Sequence, residues 1–219
     1  MKNREKFITL AVAGILLVAV VLVIVVSRDD GAESENGSDA TAVTKEGDLA
    51  EPGQILDEGE DASVTMETTE GSFTIALDTE RAPITANSFA YLTEEGFYDG
   101  LGFHRIVPGF VIQGGDPLGD GTGDPGFKVV EAPPEDLKYE VGVVAMAKSA
   151  AEAPGTSGSQ FYVVTGPQGA TLTPDYALVG EVTEGLDVVQ EIGELGTPDS
   201  PTGEPTKEVV IEKATLERG

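Results

Sequence analysis

From residue 64 onward, apolar positions alternate with polar ones. Val64 and Met66 mark one face of VTMET, and Phe73, Ile75 and Leu77 mark one face of FTIAL. A period of two puts alternate side chains on the same side of a pleated strand. The intervening Thr69-Glu70-Gly71-Ser72 is a short turn, so the two runs predict a hairpin. The period then lengthens. In APITANSFAYLTEEG, residues 82–96, Ala86, Phe89, Ala90 and Leu92 recur at helical spacing. Pro83 suits the first helical turn and Gly96 the stop. Short strands are predicted over 103–106, 110–113, 142–147, 160–164 and 176–182, separated by glycine-rich loops. EGLDVVQEIG, 184–193, predicts a second helix, and EVVIEKATLE, 208–217, a last strand. Many short strands with only two helices argue for a β-barrel or sandwich rather than βαβ winding. There is no internal repeat.

The N-terminal pattern is different. In ITLAVAGILLVAVVLVIVV, residues 8–26, Thr9 carries the only polar side chain. At about 1.5 Å per residue such a helix matches a bilayer core, and it exceeds the usual apolar stretch of a secretory signal. No small-x-small cleavage pattern follows it. The run therefore reads as an uncleaved transmembrane anchor, with a long signal peptide as the alternative. Lys2, Arg4 and Lys6 precede it and Arg28 stands alone after it. This asymmetry predicts a cytoplasmic stub at 1–7 and an extracytoplasmic remainder at the cell membrane. Residues 28–61 hold twelve acidic and two basic residues and little apolar content. Such a stretch buries too little surface to offset its ordering entropy. The expected organisation is an anchor at 8–26, an acidic disordered linker at 27–62 and a folded domain at 63–219.

Charge and composition narrow the function. The chain has 219 residues, 40% of them hydrophobic, and a net charge of −26. That charge repels phosphate backbones, so nucleic acid is excluded as a partner. The absence of cysteine removes disulfides, thiolate catalysis and Cys-ligated metals. A single histidine, His104, cannot build a metal site alone. GTSGS at 155–159 departs from a nucleophile elbow, because Ser159 stands where glycine is required. Asp116, Asp120 and Asp124 fail the EF-hand spacing and read as turn residues.

What remains is Arg105 among apolar neighbours, with Gln113 following. A bent strand pair would bring Arg105, Phe110 and Gln113 to one face. Arginine stays protonated and donates a fixed fork of hydrogen bonds. It suits a reaction that needs electrostatic help without proton transfer.

The motifs then converge. FHRIVPGFVIQGGD at 103–116, GFYDGLGFHRI at 96–106, GTG at 121–123 and VVAMAK at 143–148 occur in that company, followed by GSQFYV at 158–163 and LTPDYALVGEV at 172–182. Together they resemble the cyclophilin family of peptidyl-prolyl cis–trans isomerases, over about residues 63–217, and in detail its bacterial, membrane-anchored branch. The resemblance implies a mainly β fold, a closed eight-stranded antiparallel barrel capped by two α-helices. It implies a cofactor-free, monomeric enzyme acting on Xaa-Pro bonds, here assisting the folding of exported or cell-envelope proteins. By matching position, Arg105 is the catalytic arginine. Phe110, Val111, Tyr162 and Leu172 form the proline pocket, and Gln113 bonds the substrate backbone. Ala147, Lys148 and Ser149 flank the residue before proline, with Gly121 and Gln160 nearby. His104 is the site histidine, and Tyr176 stands where many members carry histidine. The alternatives are a proline-peptide-binding or chaperone module with little turnover, and a structural surface domain.

Two departures bear on ligands. Lys148 replaces the family's usual asparagine, which alters the surroundings of the residue before proline. Thr171 stands where many members have the tryptophan that contributes to cyclosporin binding. Cyclosporin is therefore expected to bind weakly. A calorimetric titration checks this, and nanomolar affinity would contradict it.

Overall fold

The alternation read in the sixties and seventies is a hairpin. β1 (Ala62–Thr68) pairs antiparallel with β2 (Gly71–Leu77), with Val64 opposite Ile75 and Met66 opposite Phe73. The computed structural model describes residues 49–200 and 202–219; the expected stub, the anchor and the linker up to residue 48 lie outside them. Among the described residues no helix is long and apolar enough to cross a membrane. After the hairpin come α1 (Pro83–Glu94), β3 (Arg105–Val107), β4 (Val111–Gly114) and β5 (Val129–Val130). β6 (Val143–Met146), β7 (Thr156–Ser157), β8 (Phe161–Val164) and β9 (Leu178–Glu184) follow, then α2 (Leu186–Gly193) and β10 (Ile211–Arg218).

Eight strands form one antiparallel sheet in the order β10-β1-β2-β9-β6-β8-β4-β3. β5 and β7 make a separate two-stranded ribbon. The expected closed barrel is instead a curled half-barrel, because β3 and β10 do not pair. The isolated bridge Gly102–Val210 joins the two edges. The loop before β10 takes the place of a ladder there: Phe103 N–H donates to Val209 O at 2.9 Å and Ile106 N–H to Gly203 O at 2.7 Å. Pro198 and Pro205 in that loop have no N–H to give a ladder.

Alternation along these strands supplies two apolar faces. Ile106, Ile112, Phe161 and Val163 join the main core with Met66, Phe73 and Ile75. α1 closes that core with Ala86, Phe89 and Leu92, and α2 with Val189 and Ile192. The residues between them in sequence go to the other face. Val111, Tyr162 and Val164 join Ala145, Leu178 and Tyr139 in a second cluster. That second cluster underlies the site described below.

α1 starts without a local cap, since Ala82 makes no side-chain bond. Glu131 replaces it from 46 residues downstream, accepting from Ile84 N–H at 3.1 Å and Thr85 N–H at 2.8 Å. A carboxylate there satisfies orphan donors and complements the helix dipole.

The end of the expected disordered linker is packed on the domain. Leu56 is 4% exposed, and Leu49 and Ile55 pack against the main core. Asn87 on α1 ties this strap down. Its Oδ1 accepts from Ile55 N–H at 2.7 Å and Leu56 N–H at 3.0 Å, and its Nδ2 donates to Gly53 O at 2.9 Å. The acidic average of residues 27–62 conceals three apolar side chains at its downstream end. Removing the amide leaves two partly buried N–H groups without partners, so Asn87→Ala is expected to cost about 1–3 kcal/mol in denaturant unfolding. An unchanged midpoint would show that the strap contributes nothing.

Candidate active site

Strand register builds the site. Arg105 on β3 lies directly opposite Gln113 on β4, Gln113 opposite Tyr162 on β8, and Tyr162 opposite Ala145 on β6. Directly opposed residues project to the same face of a sheet. The row therefore runs from a cation through an amide to an aromatic ring over a small residue. β3 and β4 are joined by the turn 108–110, which places half-buried Phe110 beside the row. The Arg105 guanidinium carbon lies 5.9 Å from the Phe110 ring centroid.

Hydrogen bonds orient the polar members. Arg105 Nη1 donates to Gln113 Oε1 at 3.3 Å, Gln113 Nε2 to Gln160 Oε1 at 3.1 Å, and Gln160 Nε2 to Gly123 O at 3.1 Å. Gln113 thus keeps one N–H and one oxygen lone pair for a ligand. Partial burial lowers the Arg105 pKa from its ordinary value, yet guanidinium remains charged. Gly115 lets the chain pass close behind the row. Its φ is +78°, and a Cβ there would lie 2.5 Å from Ser159 O.

The sequence-selected residues fall into two adjoining groups. Phe110, Leu172 and Tyr176 pack onto Val111 and Tyr162 of the second cluster, beside Arg105. Tyr162 is 4% exposed, its hydroxyl has no partner, and burial pushes its pKa far up. Gln113, Gly121, Ala147, Lys148, Ser149 and Gln160 line a cavity of about 340 Å³ next to it. Lys148 carries its stem inward, its side chain 5% exposed, with Nζ 5.5 Å from the Tyr176 ring centroid and 3.6 Å from Asp175 Oδ2. It therefore stands at the seam of the two groups. Thr171 is exposed, with its hydroxyl bonded to Gln168 O at 2.7 Å.

His104 precedes the row and belongs to neither group. Its Nδ1 is buried without a hydrogen-bond partner, and burial lowers its pKa against the opposing pull of Asp116. His104 and Arg105 are neighbours in sequence, not a paired acid and base. Sequence reasoning missed Asp124, Lys128 and Glu152, which also line the cavity. Lys128 bonds Glu152 and lies 3.6 Å from Asp124 Oδ2. Asp124 and Lys128 share the loop before β5 and Glu152 comes from the loop between β6 and β7, a pairing across loops that no spacing in the chain announces.

The arrangement offers a ring-sized apolar surface, a fixed cation at its edge and a polar cavity alongside. It can hold an extended peptide with one side chain in each depression and direct N–H groups at the bond between them.

Comparison with known proteins gives the family. The family model for cyclophilin type peptidyl-prolyl cis-trans isomerases matches residues 63–216. A peptidyl-prolyl cis-trans isomerase of Arabidopsis thaliana is 36% identical over 158 residues, covering 70% of this chain and 93% of the relative. Peptidyl-prolyl cis-trans isomerase B of Bacillus subtilis is 40% identical over 134 residues, covering 61% and 85%. A crystal structure of a Cryptosporidium parvum cyclophilin type isomerase superposes with a TM-score of 0.65 at 26% identity, covering 73% of this chain and 99% of that one. The same protein in the presence of the dipeptide Ala-Pro gives a TM-score of 0.64 at 27% identity, covering 72% and 99%. The curled sheet, the arginine-glutamine row and these similarities lead to one assignment: the chain belongs to the cyclophilin family and is a peptidyl-prolyl cis-trans isomerase.

Proposed function

We propose that this isomerase works by arginine-assisted rotation of Xaa-Pro bonds in exported or cell-envelope proteins, from a membrane tether. The observation that carries the mechanism is the cross-strand pair Arg105–Gln113 at the edge of the apolar surface. The proline ring sits on Phe110, Val111, Tyr162 and Leu172, near Tyr176. Residues before proline run toward Gly121, Ala147, Lys148, Ser149 and Gln160. His104 contacts or orients substrate and does not exchange protons with it.

The barrier is resonance. Delocalisation over C–N keeps the peptide planar, at about 18–20 kcal/mol. Twisting the bond returns a lone pair to the prolyl nitrogen. An Arg105 N–H directed there bonds the twisted nitrogen more strongly than the planar one, and only such differential binding raises the rate. Gln113 holds the guanidinium in place and offers its remaining N–H to the peptide backbone. The held ring lets the preceding carbonyl turn, and no covalent bond forms or breaks.

The cellular role rests on sequence. The apolar run 8–26, with lysine and arginine before it, fits an anchor that places the domain outside the cytoplasm. Protease added to intact cells is expected to remove the domain; protection from it would sink this placement.

The mechanism is tested on the full chain with a series of Xaa-Pro peptides. Arg105→Ala is expected to lower kcat by about 100-fold or more while peptide still binds. Phe110→Ala is expected to weaken peptide binding itself. Unaltered turnover in Arg105→Ala would remove arginine from the mechanism.

A further inference from the structure

The wall of the proline pocket is an irregular segment. After a 3-10 turn, Pro167–Thr171, the chain runs through Leu172 to Tyr176 before β9 begins. The segment's backbone bonds to the rest of the fold are few: Gly155 N–H donates to Asp175 O and Met146 N–H to Ala177 O, both at 2.9 Å, which leaves Leu172 and the Tyr176 backbone to be fixed otherwise. Both of its ends rest on one residue. The Tyr139 hydroxyl donates to Tyr176 O at 2.8 Å and accepts from Tyr176 N–H at 3.0 Å. One phenol thus satisfies the whole backbone of one residue. At the other end Gly169 approaches the Tyr139 carbonyl so closely that a Cβ would lie 2.8 Å from that oxygen.

Tyr139 is itself immobilised. It is 1% exposed in the second cluster. Its ring centroid lies 6.3 Å from that of Tyr162 and 6.1 Å from that of Tyr176, and those two rings meet edge-on at 5.5 Å. It lies off the Arg105–Gln113 row, and its hydroxyl is committed to Tyr176. It does not touch the reacting bond.

We infer that Tyr139 is a positioning residue for the isomerase reaction, its hydroxyl clamping the pocket wall Leu172–Tyr176 at the distance that grips a proline ring. This rests on the pocket assignment given above and adds a residue to it. The wall holds the ring in planar and twisted states alike, so the clamp contributes uniform binding. Arg105 is held by Gln113 on other strands and is unaffected by it. Loss of the clamp therefore appears in KM and not in kcat.

Tyr139→Phe removes the hydroxyl and keeps the ring. Its KM for an Ala-Pro peptide is expected to rise about five-fold, the worth of roughly one neutral hydrogen bond, with kcat within about two-fold of the parent. A role in stability alone would lower the melting temperature and leave KM unchanged, and that result overturns the inference. A fall in kcat at constant KM overturns it as well. Leu172→Ala separates this from failure of the pocket assignment. If Leu172→Ala raises KM and Tyr139→Phe does not, the clamp alone is wrong; if neither does, the pocket assignment fails and the clamp with it. A measurement on the unmodified protein covers a variant that does not fold. The Tyr176 amide must exchange hydrogen at least ten-fold more slowly than the exposed Thr173 amide of the same segment. Equal exchange rates overturn the clamp.

Discussion

The site depends on one constraint, the register of β3, β4, β8 and β6. Side chains alternate across a strand, so a slip of one residue would exchange the faces. Ile106 and Ile112 would then leave the main core for the face of the second cluster, and Arg105 and Gln113 would enter the main core. Both faces resist this, because each carries its own apolar cluster. An ordinary surface strand is pinned from one side only. Here the placement of a single guanidinium is enforced by hydrophobic burial on two sides, with the short turn at 108–110 fixing how the strands meet.

This explains how a reaction without proton transfer can be served by a sheet surface. Acid–base chemistry needs a group of tuned pKa in a dry cleft. Bond rotation needs a held ring and a donor of fixed direction. In the proposed mechanism the second cluster supplies the first, and the hydrogen-bonded chain from Arg105 through Gln113 and Gln160 to Gly123 supplies the second. The one histidine has a lowered pKa and stands outside that hydrogen-bonded chain.

What was legible in the sequence was what repeats locally. The alternation of Val64, Met66, Phe73 and Ile75 gave the hairpin, and the spacing of Ala86, Phe89 and Leu92 gave α1, each by its own period. Arg105 and Gln113 were found because a tight turn between two short strands forces them opposite each other. What depended on distant partners was invisible. Glu131 caps α1 across 46 residues, and a glutamate in a loop carries no mark of that duty. Asn87 holds a strap whose acidic composition argued for disorder. The open seam between β3 and β10 follows from a loop that takes over the edge, which strand counting cannot reveal. Tyr139 gave no signal either, since a lone tyrosine near a lysine reads as ordinary core.

The second apolar cluster has a consequence for descent. In the proposed site, Val111 and Tyr162 are at once the floor of the ligand surface and part of what keeps the strands in register. A change that spoils the floor also weakens the fold, so it is purged even in a lineage under no pressure to catalyse. Arg105 has no such protection, because its loss leaves both clusters intact. With turnover resting on Arg105 as proposed, neutral drift in such proteins should discard turnover well before it discards affinity. A descendant would emerge as a receptor for proline-bearing chains, inheriting its specificity from the demands of folding.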